Sequence, residues 1–492
     1  MRSGPSSTSS ASIPSSSGPD RHPRRSPSEE HEVNSSAAAL AVEPDDDAPA
    51  IAERGAKVKK RSYRRDTVTT TLWGLGAYAL SLLTSPLLAR ALSADGRGSL
   101  AAVVRPTEIL GWLLMFGVPM ATAYLAIEAD RRTLQASAWV FSLVVGIPVV
   151  AILWPFVPAF LDNHPPETVA WFRACLVAGL VILPFQNVYE QLRATGRTTR
   201  FNVYRSAPIV VNAVSVTALF FADRLTLNTA LGASLAANLV VPLVVIGIER
   251  GFVVRMGRWF SWALMRRQLH YGARVWFGTL SNMVVARFDQ LLMVRLVSAS
   301  ELGLYAIAAT GAMVTAPIAQ GVSFALFPYI RSEADPRRRW RRTQLAMRWV
   351  GLLSIGSGVV LGIVAPWGLP AVMGAEFRGA VTAFLLLLPG QVFWNLGQVV
   401  KVDLEATDRP GAASAALAVA AVLTLVTVPV AVEVAGISGA AAVTSACQVA
   451  FFLVAYWQAR GGLSRPAPAP GPGGGGDDTP EEGTDELVGV EG

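Results

Sequence analysis

The sequence predicts an all-α integral membrane protein, with twelve transmembrane helices in two pseudo-symmetric six-helix bundles. Three observations carry that expectation: long apolar stretches, a one-sided distribution of basic residues, and an internal repeat. The chain has 492 residues, of which 52% are hydrophobic and 16% charged. A typical soluble domain is about 25% charged. Here the charges fall in short runs between apolar stretches near or above the roughly 20 residues that cross a bilayer. Inside hydrocarbon only helices and closed barrels satisfy the backbone. These stretches are too long for barrel strands and do not alternate.

The helices are expected at 67–91, 99–127, 133–160, 167–192, 201–222, 226–249, 270–297, 304–330, 343–366, 379–407, 411–432 and 436–458. Cytoplasmic loops of membrane proteins are enriched in Lys and Arg. With the N-terminus inside, the inner segments hold 25 basic residues, and the outer loops hold only Arg97, Arg224 and Arg378. Adding helix-end Arg90, Arg173 and Arg295 raises the outer total to six. A missed helix would scramble this alternation. Both termini are therefore expected in the cytoplasm of a multi-pass cell-membrane protein.

The chain divides into 1–62, 63–249, 250–269, 270–460 and 461–492. The first segment is a Ser/Pro-rich, disordered tail that ends in a basic run, Lys57 to Arg65, suited to an inner anchor near anionic lipid. The last is a Gly/Pro/acidic tail of the same disordered kind. Between the two bundles, 250–269 mixes Trp259, Phe260 and Trp262 with Arg255, Arg258, Arg266 and Arg267, as an interfacial helix would. A plain basic loop is the simpler reading of that segment.

The net charge of +7 sets topology, because the basic residues sit at helix ends; nucleic acid is not an expected partner. Cys175 and Cys447 lie in apolar stretches and read as packing residues. His22, His31, His164 and His270 form no ligand cluster. Neither a metal nor a cofactor is expected, and no phosphate loop or nucleophile elbow marks an enzyme.

RALSADGRGSLA (90–101) aligns with RLVSASELGLYA (295–306) at a constant offset of 205, with Arg90/Arg295, Ser93/Ser298, Ala94/Ala299, Gly98/Gly303 and Ala101/Ala306 identical. LRATGR (192–197) aligns with LEATDR (404–409) at an offset of 212. Six helices per half make this a parallel repeat, with an axis along the membrane normal. Two such bundles, rocking about a site between them, provide alternating access.

These motifs resemble the Wzx-type polysaccharide flippases of the multidrug/oligosaccharidyl-lipid/polysaccharide exporter superfamily. The turn Leu92 to Gly98, its echo at Ser298 to Gly303, and the Arg-Ala-Thr-Gly-Arg run at 193–197 carry the likeness. The resemblance implies a flippase that moves an undecaprenyl-pyrophosphate-linked oligosaccharide to the outer leaflet for cell-surface polysaccharide biosynthesis. Its partners would be that lipid-linked glycan, membrane lipids and polysaccharide-assembly proteins.

Charges within a membrane are costly and mark function or pairing. Arg105 and Glu108 share a face, as cavity lining or as a structural pair. Arg274, Gly278, Ser281, Asn282 and Asp289 form a stripe expected to face the cavity, with Asp289 the candidate proton or sodium switch or, equally, a partnered structural carboxylate. Arg287 lies off that stripe, for another helix or a substrate phosphate. Gln398, Lys401 and Glu405 share a face, Glu190 and Arg193 close another helix, and Arg205 completes the cavity candidates. Snorkelling to the interface is the equal alternative for several of these. Five basic and five acidic residues at membrane depth do not by themselves make an anion cavity.

Two alternatives stand beside the flippase. A multidrug exporter of the same fold is disfavoured by the lack of an acidic residue in 67–91. A membrane-embedded glycosyltransferase, polymerase or ligase needs a larger outer loop than any present.

Overall fold

A computed structural model describes residues 63–126, 128–248, 259–333 and 335–461. The two expected tails and residues 249–258, which include the first part of the expected linker, lie outside the described residues. The order is α1 (Tyr63–Leu114), α2 (Val118–Leu125), α3 (Arg131–Leu153), α4 (Val157–Phe160), α5 (Glu167–Ala194), α6 (Thr198–Phe221), α7 (Leu227–Ile248) and α8 (Trp262–Leu296). It continues with α9 (Ala299–Ala312), α10 (Ala316–Ser332), α11 (Pro336–Met373), α12 (Ala380–Ala406) and α13 (Pro410–Gly461). Among the described residues there is no strand. Among the same residues, eight helical segments are long and apolar enough to cross a membrane. The protein is an all-helical, multi-pass membrane protein.

The helix ends follow local chemistry. Asp130 accepts from the backbone N–H groups of Arg132 and Thr133, both at 3.0 Å, and so caps α3. Ser298 and Glu301 make a reciprocal capping box at the start of α9. Asp335 caps α11 ahead of Pro336, whose missing N–H costs nothing at a first position. The LRATGR and LEATDR segments are matching C-terminal caps. Gly196 and Asp408 adopt positive φ, 70° and 55°, and the N–H groups of Arg197 and Arg409 return to Leu192 O and Leu404 O at 2.9 Å.

The structure departs from the expected map at several places, among them breaks at 115–117, 154–156 and 313–315 inside expected helices. The turn expected at 92–98 shrinks to a kink at Ser93 (φ 59°, ψ 178°), so α1 runs on through Arg97. A similar kink at Ala435–Gly436 joins the last two expected helices into α13. Residues 262–269 form the first turns of α8, capped by Ser261, where a separate interfacial helix was expected. Membrane helices tolerate such local breaks when neighbours satisfy the freed backbone groups.

The largest apolar core joins residues from both sides of the repeat, with Ala101, Ala102 and Val103 against Leu302, Tyr305 and Ala306. We call this end, which carries 161–166 and Ser298, the distal end. Apolar burial drives little association in lipid, so close van der Waals contact of small residues does the work. Gly98 and Gly303 supply it symmetrically. A Cβ on Gly98 would fall on the carbonyl of Ala299, and one on Gly303 would fall on the carbonyl of Ala94. The motif that repeats in sequence therefore packs against its own copy.

Further contacts close the distal end. Asn163 donates to Arg295 O at 3.0 Å, His164 Nε2 lies 3.3 Å from Val294 O, and Arg295 stands 3.8 Å from Asp162. These side chains satisfy carbonyls that the last turn of α8 leaves open. Arg90 likewise donates to Ala371 O and Val372 O in α11.

At the other, proximal end, the first half of α8 leans on α2 and α3. Gln268 donates to Thr122 Oγ1 and Leu134 O, Arg267 pairs with Glu128 at 3.0 Å, and Tyr124 stacks on Tyr271 at 4.3 Å. Gly117, at φ 70°, meets Gly272 backbone to backbone.

Candidate functional site

The interrupted α1–α2 run and α8 bring charges from the two halves of the sequence together. Arg105 Nη1 donates to Glu108 Oε2 at 3.0 Å, one turn apart in α1. Arg287 of α8 acts electrostatically on Glu108 across the junction. Arg97, carried inward because α1 does not stop at 92, acts on Arg105, and its Nε has no hydrogen-bond partner in the protein. Arg105 and Arg287 thus act on Glu108, Arg287 also acts on Asp289, and Arg97 stands near Arg105. The ten membrane-depth charges balance on paper, but their positions do not: this cluster is net positive.

The remaining charges are mostly accounted for elsewhere. Lys401 pairs with Glu405 at 3.3 Å, and Glu190 with Arg193 at 2.7 Å. Asp403 accepts from Thr343 Oγ1 at 2.8 Å. Arg274 meets His270 at 2.8 Å, and the exposed Arg205 lies over the ring of Phe201 at 5.9 Å.

The residues of the α8 stripe meet different partners. Gly278 packs on Ser414 of α13, and Ser281 returns to its own helix at Phe277 O. Asn282 accepts from Gln398 at 3.4 Å. Asp289 is only 4% exposed. Its carboxylate accepts from Tyr305 Oη at 2.5 Å, Thr444 Oγ1 at 3.4 Å and the backbone N–H of Gln290 at 2.7 Å. Buried carboxylates survive by such bonds. Asp289 therefore ties α8 to α9 and α13 inside the second half.

Two cavities of about 440 Å³ each flank the junction. The first, within the first half, is lined by Glu108, Trp112, Gln186, Tyr189, Tyr204, Arg205 and Asn238, among others. The second is lined by Asn282, Gln320, Trp394, Asn395, Gln398, Lys401 and Glu405, among others. At the 212 offset, Ile182, Leu183, Gln186 and Tyr189 of the first cavity correspond to Trp394, Asn395, Gln398 and Lys401 of the second. At the 205 offset, Gly111 and Met115 correspond to Ala316 and Gln320. The duplication extends from helix ends to hollows.

Sequence reasoning missed Arg97, which was assigned to an outer turn, and the aromatic lining Tyr189 and Tyr204. It also missed Tyr305 and Thr444, the hydroxyl partners of Asp289. Among the described residues no group of three His, Cys, Asp or Glu could hold a metal ion.

Comparison with solved structures places the fold. An inward-facing multidrug resistance MATE family transporter of the MOP superfamily is 15% identical, covering 77% of this chain and 94% of its own, at a TM-score of 0.64. The lipid II flippase MurJ in an inward closed conformation is 13% identical, with coverage of 80% and 87% and a TM-score of 0.63. A MOP superfamily transporter from Pyrococcus furiosus, described as having a binding pocket of reverse polarity, is 14% identical, with coverage of 81% and 95% and a TM-score of 0.56. These neighbours are transporters and a flippase, and at such identities the likeness is one of fold. No curated protein matches the sequence. A family model described as polysaccharide biosynthesis protein matches residues 63–332, more than half of the chain. The chain belongs to the polysaccharide biosynthesis protein family and has the fold of the multidrug/oligosaccharidyl-lipid/polysaccharide exporters.

Proposed function

We propose that the protein is a flippase that carries an undecaprenyl-pyrophosphate-linked oligosaccharide across the cytoplasmic membrane by alternating access. The single observation behind this reading is the meeting of Arg105 and Arg287 at Glu108, with Arg97 beside Arg105, at the junction of the halves. Guanidinium groups match phosphate oxygens bidentately and stay charged when desolvated. A diphosphate would draw Arg105 from Glu108 and bridge α1 to α8. The substrate itself would then bias the two halves.

The proposed body has twelve spans in two six-helix bundles, 63–249 and 270–460, with both termini cytoplasmic. The eight apolar segments support that count once four facts are added. The segments 72–114 and 410–461 each hold a kink that divides two helices. The helix α8 is made more polar by Arg274, Arg287 and Asp289. The helix α9–α10 is split by a 3-10 turn at Met313–Thr315. Asp289 is the proposed ion switch: its hydroxyl ligands could stabilise either a proton or a small cation.

The test is transport in proteoliposomes, comparing a fluorescent lipid-linked sugar with a fluorescent cationic drug. The expected result is movement of the sugar lipid alone, reduced at least tenfold by Arg105→Gln or Arg287→Gln. Asp289→Asn should impair transport without lowering the amount of protein in the membrane. Movement of the drug alone would assign the protein to multidrug export.

A further inference from the structure

The two equivalent cavities differ in how their polar linings are satisfied. In the second, most of the polar groups have partners, Gln398 with Asn282, Lys401 with Glu405, and Asn395 with Thr315 and Ser354, and Ser323 Oγ is the buried exception. In the first, the amide of Gln186, the hydroxyl of Tyr189 and the indole N–H of Trp112 line the space and make no hydrogen bond with any described residue. Asn238 uses its N–H on Ser234 O and keeps its carbonyl oxygen for the cavity. Small-ligand sites pair apolar and aromatic walls with a few such convergent polar groups, in volumes of about 300–1,000 Å³.

We infer that the first-half cavity is a sugar compartment, which receives the glycosyl residue attached directly to the diphosphate. This rests on the flippase reading and adds where the glycan begins. A pyranose has a C–H face and a rim of hydroxyl groups. The rings of Trp112, Tyr189 and Tyr204 suit the face, while Gln186 and Asn238 provide both donor and acceptor for the rim. The compartment also has the right neighbour. Glu108 belongs both to its wall and to the arginine cluster, so the cavity opens where the diphosphate would lie. Only one phosphoester bond separates a diphosphate from its first sugar.

The test measures binding of two probes to the purified full chain in nanodiscs: farnesyl diphosphate, and farnesyl diphosphate esterified to one N-acetylglucosamine. Gln186→Leu and Tyr189→Phe keep side-chain volume, and circular dichroism and melting confirm folding. Each is expected to weaken the glycosylated probe about tenfold, the loss of one hydrogen bond to a ligand, and to leave farnesyl diphosphate unchanged. Arg105→Gln should weaken both probes. Equal loss of both probes in Gln186→Leu, or loss of neither, overturns the sugar compartment and leaves the flippase reading standing. If the unaltered protein binds neither probe, both readings fall.

Discussion

The distal seam and the paired cavities descend from the same duplication but have fared differently. At the seam the two copies still carry the same residues, Ser93 with Ser298 and Gly98 with Gly303. In the cavities, Gln186 and Gln398 agree, but Ile182, Leu183 and Tyr189 face Trp394, Asn395 and Lys401. The cause is steric. Backbones that touch where the two copies of the motif meet allow only one side chain, hydrogen, on both sides. A hollow imposes no such limit, so each copy can specialise. The seam is the constant part, and the cavities are where recognition can diverge.

The largest effect that would break this comparison is at the seam. Gly98→Val puts a branched side chain into the Ala299 carbonyl, where no flexible neighbour can yield. A loss of about 3 kcal/mol or more is expected, the upper end for overpacking, read as a lower melting temperature and reduced yield. Gly76→Ala is the control, since nothing lies within 4 Å of its Cβ. It should leave melting unchanged or slightly raised. If both variants behave alike, the seam is not close-packed.

Next in size is the second half's internal tie. Tyr305→Phe removes the shortest bond to the Asp289 carboxylate. Leaving a buried acceptor short of a donor costs about 1–3 kcal/mol. Thermal unfolding should register that loss in Tyr305→Phe and a smaller one in Thr444→Val, whose bond is 3.4 Å.

The smallest effect sharpens the account of the distal latch. Burial pushes the His164 imidazole below its usual pKa, against the opposing pull of the Val294 carbonyl. The latched state therefore binds fewer protons than the open or unfolded one. Its full stability holds above the ordinary histidine pKa of about 6.5 and falls as pH drops through that value toward the lowered one. Melting between pH 8 and 5.5 should decline, and His164→Gln should flatten the decline. The neighbouring charges are Asp162 and Arg295. An unchanged slope would remove His164 as the cause.

The sequence revealed the helices more fully than it revealed their ends. Apolar length is written in composition, whereas the kink at Ser93 and the early start of α8 at Trp262 depend on single caps and on what packs there. Arg105, Glu108 and Arg287 stood out because charge within an apolar stretch is conspicuous. Arg97 did not, since a turn at 92–98 would have put it in water. Nothing local in the sequence marks Tyr189 and Tyr204 as lining a hollow. Tyr305 and Thr444 stand 16 and 155 residues from Asp289, and no local pattern links them.

Alternating access requires the distal end to open in each cycle, and a reversible lock tests that directly. Asn163→Cys and Arg295→Cys, with Cys175→Ser and Cys447→Ser, place two thiols where a side chain and a carbonyl now meet at 3.0 Å. Oxidation should form the disulfide and stop transport of the lipid-linked sugar in proteoliposomes, and reduction should restore it. Undiminished transport by the fully cross-linked protein would contradict a carrier that works by parting its two halves.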